Sequence, residues 1–104
     1  MTYRVEIADR AIRDIKRIRA RINVGESRQA RLWLDKMERL VLSLDDNPAR
    51  CPMTPEDEKM RHLLFGHGRN IYRIIFAINE TARIVSVVHI RHGSRKAFDS
   101  ASPD

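Results

Sequence analysis

RHLLFGHGRNIYRIIFAINETARIVSVVHIRHGSRK, residues 61–96, decides how this chain folds. The apolar residues alternate along two runs of strand type, residues 71–78 and 83–92, and residues 61–65 read as a further strand before them. Between them, His67-Gly68 and Asn79-Glu80-Thr81 read as tight turns. Consecutive strands joined this way form an antiparallel meander. The same stretch holds all four histidines and seven of the twenty Lys and Arg residues, against one acid, Glu80, so it accounts for the net charge of +6. Basic side chains carried on strands form a rigid surface of a kind suited to phosphate.

Upstream, residues 3–7 alternate as a further short strand. Asp9 is placed to cap a helix whose face carries Ile12, Ile15, Ile18 and Ile22, and Asn23-Val24-Gly25 supplies its stop. Ser27 caps a second, longer helix with the stripe Ala30, Trp33, Leu34, Met37, Leu40, Val41 and Leu44, which reads as core. The pattern vanishes over residues 45–60, where three of the four prolines and five acids mark a surface connection. The order is therefore β-α-α-β-β-β in an α+β fold: an antiparallel sheet with two N-terminal helices packed on one face. Residues 1–98 form a single domain, and residues 99–104 read as a flexible polar tail.

Two helices cover only one face of such a sheet. Tyr72, Ile74, Phe76 and Ile78 share a face of one strand, as do Val88 and Ile90 of the next. If these pack under the helices, Arg73, His89 and Arg91 look out from the open face.

Sixteen of the twenty basic residues are arginine, whose planar fork grips phosphate or carboxylate in a bidentate way. Nucleic acid or an acidic protein is the expected partner. Cys51 is the only cysteine, so neither an internal disulfide nor a cysteine zinc site can form, and a reducing compartment is expected. The N-terminal residues lack the apolar core of a signal peptide. No run approaches the roughly 18 apolar residues of a membrane span. A cytoplasmic protein with no membrane association, no metal and no cofactor is expected.

A serine or cysteine triad finds little support: Cys51 sits in the Pro-rich connection and Ser94 has no local acid to orient a histidine. His89 and His92 are close in sequence, but strand geometry sends them to opposite faces. Gly66-His67-Gly68-Arg69 invites comparison with a phosphate-binding loop, yet it opens no helix and is more simply a hairpin turn that needs glycine. Cleavage of RNA by general acid-base chemistry asks for a base, an acid and cations for the charged transition state. His92, Arg91, Arg73 and Arg61 are a sufficient cast, with Glu58 as base if the loop brings it over the sheet. His89, Arg91, Arg95 and Arg69 are then the phosphate contacts.

The order of elements, the strand opening Arg61-His62-Leu63, the run Tyr72-Arg73-Ile74-Ile75-Phe76 and the ending from His89 to Arg95 together resemble the RelE/ParE superfamily of bacterial type II toxin-antitoxin systems. The resemblance implies a small toxin neutralised by a cognate antitoxin that wraps its surface. Members similar to RelE and YoeB cut mRNA in the ribosomal A site; by resemblance Arg73 matches their central-strand arginine and His92 their late acid. This chain lacks RelE's lysine-rich strand and late tyrosine, which leaves a YoeB-like set of Glu58, Arg73 and His92. Members resembling ParE instead bind DNA gyrase and block it without cleaving nucleic acid, and the long second helix and the ending His92-Gly93-Ser94-Arg95 look more like that side. A third reading keeps antitoxin binding without toxicity. The expectation is a growth-inhibiting toxin acting as an mRNA endonuclease, or else as a gyrase inhibitor.

Overall fold

The computed structural model describes residues 2–22, 28–68 and 70–93, with the side chain of His67 also left aside. The helix stop at Asn23, Val24 and Gly25, the cap at Ser27, Arg69, Arg95 and the tail 99–104 lie outside the described residues.

The elements follow in the order β1 (Arg4–Ile7), α1 (Asp9–Arg21), α2 (Arg28–Leu42), two short 3-10 turns (Ser43–Asp45 and Pro48–Arg50), β2 (Arg61–His67), β3 (Asn70–Asn79) and β4 (Ile84–His92). Asp9 is the first helical residue of α1; Ala8 occupies the capping position, with no side-chain cap. An acid in the first turn still favours the helix through the macrodipole. The sheet runs β1-β4-β3-β2. β2, β3 and β4 form the antiparallel meander, whereas β1 adds to β4 in parallel, Arg4 opposite Ile84 through Ile7 opposite Val87. The sheet is therefore mixed rather than antiparallel throughout. A four-residue strand carries no mark of its direction; the long α1-α2 crossover supplies the connection that a parallel neighbour needs.

Both hairpins are closed by positive-φ backbone. Gly66 and Gly68 adopt φ of +104° and +63° near the β2-β3 turn, and Arg83 adopts +58° before β4. The core gathers Ala11 and Ile18 of α1, Leu34, Met37 and Val41 of α2, Leu44, and Tyr72, Ile74, Phe76, Val85, Val87 and Ile90 of the sheet. Each large apolar side chain so buried contributes about 1.5–3 kcal/mol. Trp33 packs against this core, half-buried, while Ile12 lies outside it, exposed at the helix surface.

One irregularity reassigns a face of β4. Ile75 pairs with His89 and Phe76 with Val87, so Val88 is an extra residue in the ladder. A bulge of this kind breaks the period of two. Val85 and Val87 face the helices with Ile90, and Val88 does not join the core. β1 has ended by this point, with the Ala8 amide bonding the Val87 carbonyl. Asp14 of α1 takes over the exposed edge: its carboxylate accepts from the Ile90 amide at 2.9 Å and from His89 Nδ1 at 2.5 Å. His89 is 1% exposed. It is not open to a ligand as expected, because the buried carboxylate of Asp14 holds it against α1.

Candidate functional site

The face of the sheet away from the helices is not bare. Residues 51–60 fold back over it as a loop held by its own polar groups. The Thr54 amide donates to the Met60 carbonyl, the Thr54 hydroxyl donates to the Asp57 carbonyl at 2.8 Å and accepts from the Asp57 amide at 3.1 Å, and the Lys59 amide bonds the Asp57 carboxylate. Arg61 anchors the start of this loop, donating to the carbonyls of Cys51 and Ala49 at 2.5 and 3.4 Å. It thus holds the backbone at the start of the loop.

The loop delivers Glu56 to the centre of the sheet. There Arg73 donates through both terminal nitrogens to the two Glu56 carboxylate oxygens, at 2.6 and 2.7 Å. Their side chains are 13% and 10% exposed, so the pair is largely shielded from water. Arg73 Nε also donates to His62 Nδ1 at 3.3 Å. Because arginine has no acceptor, this bond requires a lone pair on Nδ1 and places the proton of a neutral imidazole on Nε2. Burial, and then the charge of Arg73, push the His62 imidazole below its ordinary value, with Glu56 pulling the other way. Both effects favour the neutral ring.

Beside this trio lies an open groove of about 810 Å³ lined by Pro55, His62, Leu64, Asn70, Ile71, Arg73 and His92, among others. The His92 ring also packs edge-on to Tyr72, with centroids 5.1 Å apart, and continues a row through Trp33 (5.5 Å from Tyr72) to Phe65 (5.0 Å from Trp33). Among the described residues, no three His, Cys, Asp or Glu side chains converge as a metal site would need, and no helix is long and apolar enough to cross a membrane.

Of the catalytic residues expected from sequence, only Arg73 and His92 line this groove. Glu58 is exposed and lines a different groove with Tyr3, Lys59, Arg61 and Glu80. The loop brings Glu56 over the sheet in its place. Arg91 is half-buried and lines a smaller groove beside α1 with Asp14, Arg17 and Arg21, and His89 is buried against Asp14. Glu56, His62 and Asp14 were not singled out from the sequence. His62 was open to detection, since Leu63 beside it is apolar and alternation puts His62 on the other side; nothing local distinguishes Glu56 from its acidic neighbours.

The chain matches the family described as "ParE toxin of type II toxin-antitoxin system, parDE" over residues 5–97. No curated protein matches it. Among solved structures it is similar to a chromosomal ParDE toxin-antitoxin system from P. aeruginosa, with a TM-score of 0.69, 14% identity, and coverage of 88% of this chain and 96% of that one. It is similar also to a mutant of the E. coli toxin RelE in the free state, with a TM-score of 0.63, 9% identity and coverage of 90% and 86%. A third similar structure is the toxin-antitoxin complex RelBE2 from Mycobacterium tuberculosis, with a TM-score of 0.60, 20% identity and coverage of 88% and 99%. At these identities the structural likeness speaks for the fold, and the family match over nearly the whole sequence carries the assignment: this chain belongs to the ParE toxin family of type II toxin-antitoxin systems.

Proposed function

We propose that this toxin arrests growth by binding a protein target, DNA gyrase, rather than by cutting mRNA, and that a cognate antitoxin neutralises it. The observation that carries the reading is the Glu56–Arg73 pair. Cleavage of a phosphodiester needs an available cation where charge develops in the transition state. In this groove the central arginine already has both terminal nitrogens on a carboxylate. The rest of the expected cast is spread out: Arg61 holds backbone carbonyls, Glu58 lies at another groove, and His89 is buried. The similar structures include toxin-antitoxin complexes, which supports an antitoxin partner for this chain. Toxin action by surface contact needs none of the catalytic constellation.

A second reading has one observation in its favour. Arg73, His62 and His92 line one groove, with Glu56 on Arg73, and together they could supply a base, a cation and an acid if a substrate phosphate displaced Glu56 from Arg73. Mapping RNA 5′ ends minutes after induction separates the two readings. Gyrase binding predicts no new ends within translated messages; ends clustered inside reading frames, lost in His92→Ala, would overturn it.

A further inference from the structure

The outer flank of α1, away from the groove of Arg73 and Glu56, carries a regular line of arginines. Arg10, Arg13, Arg17 and Arg21 recur every three or four residues and so share one flank of the helix. Arg13, Arg17 and Arg21 are exposed. Asp14 falls beside this line, but it is 3% exposed and turned inward to His89 and the Ile90 amide, while keeping Arg17 at 3.7 Å from its other oxygen. On the opposite flank Arg19 is paired at 3.2 Å with Glu38 of α2, and the exposed apolar side chain Ile12 lies on that side. Where β1 ends and leaves the β4 edge to α1, Arg17 and Arg21 line a small groove with Arg91, His92, Tyr72 and Ile90. Arg91 extends the line from the helix onto the sheet.

From Arg13 to Arg21 the exposed line spans roughly 12 Å at 1.5 Å per residue. Duplex DNA presents a negative charge about every 1.7 Å of its axis, so a flank of this length meets several phosphates at once. Arginine forks suit phosphate oxygens. An acidic helical partner would need apolar anchors between its charges. Among the described residues, the exposed side chains on and beside this flank are Asp9, Arg13, Lys16, Arg17, Ala20 and Arg21, cations for the most part and with no large apolar side chain among them.

We propose that this flank of α1, with Arg91 beside it, is a second binding surface that takes the phosphodiester backbone of nucleic acid. It stands on its own geometry and holds whichever target the toxin attacks. The contact is to backbone and carries no base specificity.

The test uses the full chain and the variant Arg13→Gln/Arg17→Gln/Arg21→Gln, titrated against a labelled 20-bp DNA duplex and a labelled 20-nucleotide RNA by fluorescence anisotropy between 50 and 200 mM salt. Glutamine is nearly as good a helix former as arginine, so the helix persists, which circular dichroism checks. Affinity should fall at least tenfold, and the salt slope on the duplex should shrink by about two to three, near 0.9 for each phosphate contact removed. Replacing the same three arginines with lysine should keep affinity within a few-fold of the parent. The variant Arg19→Gln, on the other flank, should change it less than threefold. Tighter binding of duplex or of RNA by the parent chain identifies which nucleic acid the surface takes. An unchanged slope in the triple glutamine variant overturns the proposal. So does parent binding to a poly-glutamate peptide that is tighter than to either nucleic acid and lost in the same variant, since the occupant is then an acidic protein.

Discussion

Glu56→Ala breaks the pair at the centre of the candidate site, and its effect can be sized from the geometry. Two charge-assisted bonds of 2.6 and 2.7 Å are lost, between side chains only 13% and 10% exposed. Removing one partner of a fully buried ion pair costs about 3–5 kcal/mol, whereas an exposed pair is worth about 0–1 kcal/mol. Arg73 lines an open groove, so water reaches it once the carboxylate has gone, and the loss lies nearer the middle, at about 2–3 kcal/mol. For a domain of this size each kcal/mol moves the melting midpoint by roughly 4–8 °C, which puts the expected fall at about 10–20 °C. Thermal melts followed by circular dichroism, with urea unfolding as a check, measure it. A double-mutant cycle then isolates the pair: Glu56→Ala/Arg73→Ala should be less destabilised than the sum of the single variants, because the stranded guanidinium is removed as well. A midpoint for Glu56→Ala within 2 °C of the parent, or a strictly additive cycle, refutes the reasoning.

Three further outcomes follow from the structure. Asp14→Ala should destabilise by about 3–5 kcal/mol, because it strands the buried Ile90 amide and His89 together; chemical denaturation reads this, and a loss under 1 kcal/mol would contradict the edge-capping role. His62 has a folded-state value below its ordinary 6.5, so the unfolded chain binds more protons just under that pH. The stabilisation from its neutral form is complete above pH 6.5 and is lost as pH falls through 6.5 towards the folded value; melting midpoints from pH 5 to 8 should fall more steeply on the acid side for the parent than for His62→Gln, and parallel curves would count against it. Gly66→Ala should abolish or severely weaken folding, since a Cβ there collides with the Asn70 carbonyl oxygen at a φ of +104°; a soluble variant with a near-parent melt would show the hairpin to be mispositioned.

The four strands and two helices were legible because each carries its own period. The expected limits of β2, β3 and β4 fall within two residues of those observed, and the stripe of α2 named Leu34, Met37 and Val41 as core. What escaped depends on contacts between distant segments. The direction of β1 is set by its pairing with β4, and no property of four residues encodes it. The extra residue Val88 breaks the count by twos, so Val88, expected under the helices, lies outside the core, and His89, opposite Ile75, is buried because Asp14 of α1 reaches it. Asp14 looks like a solvated acid on a basic helix until β4 supplies an unpaired edge for it to satisfy. Glu56 and Glu58 stand two apart in one polar loop, and the hydrogen bonds of Thr54 and Asp57 decide which of them reaches Arg73.

This last point also changes the meaning of the charged segment. Among the described residues, three of its arginines are met locally: Arg61 by carbonyls, Arg73 by Glu56, and Arg83 by Tyr3, whose hydroxyl it bonds at 3.2 Å and whose ring it covers at 4.1 Å. The sheet carries the charge without presenting it as a bare phosphate site, and the exposed arginines of α1 offer a more continuous cationic surface.

The most direct test of the central claim is DNA supercoiling by purified gyrase in the presence of the full chain. Binding without cleavage predicts that supercoiling stops at a few-fold molar excess of toxin, and that Arg73→Ala, if folded, inhibits nearly as well as the parent. Undiminished supercoiling at that excess, by a preparation that still arrests growth when produced in cells, would contradict it.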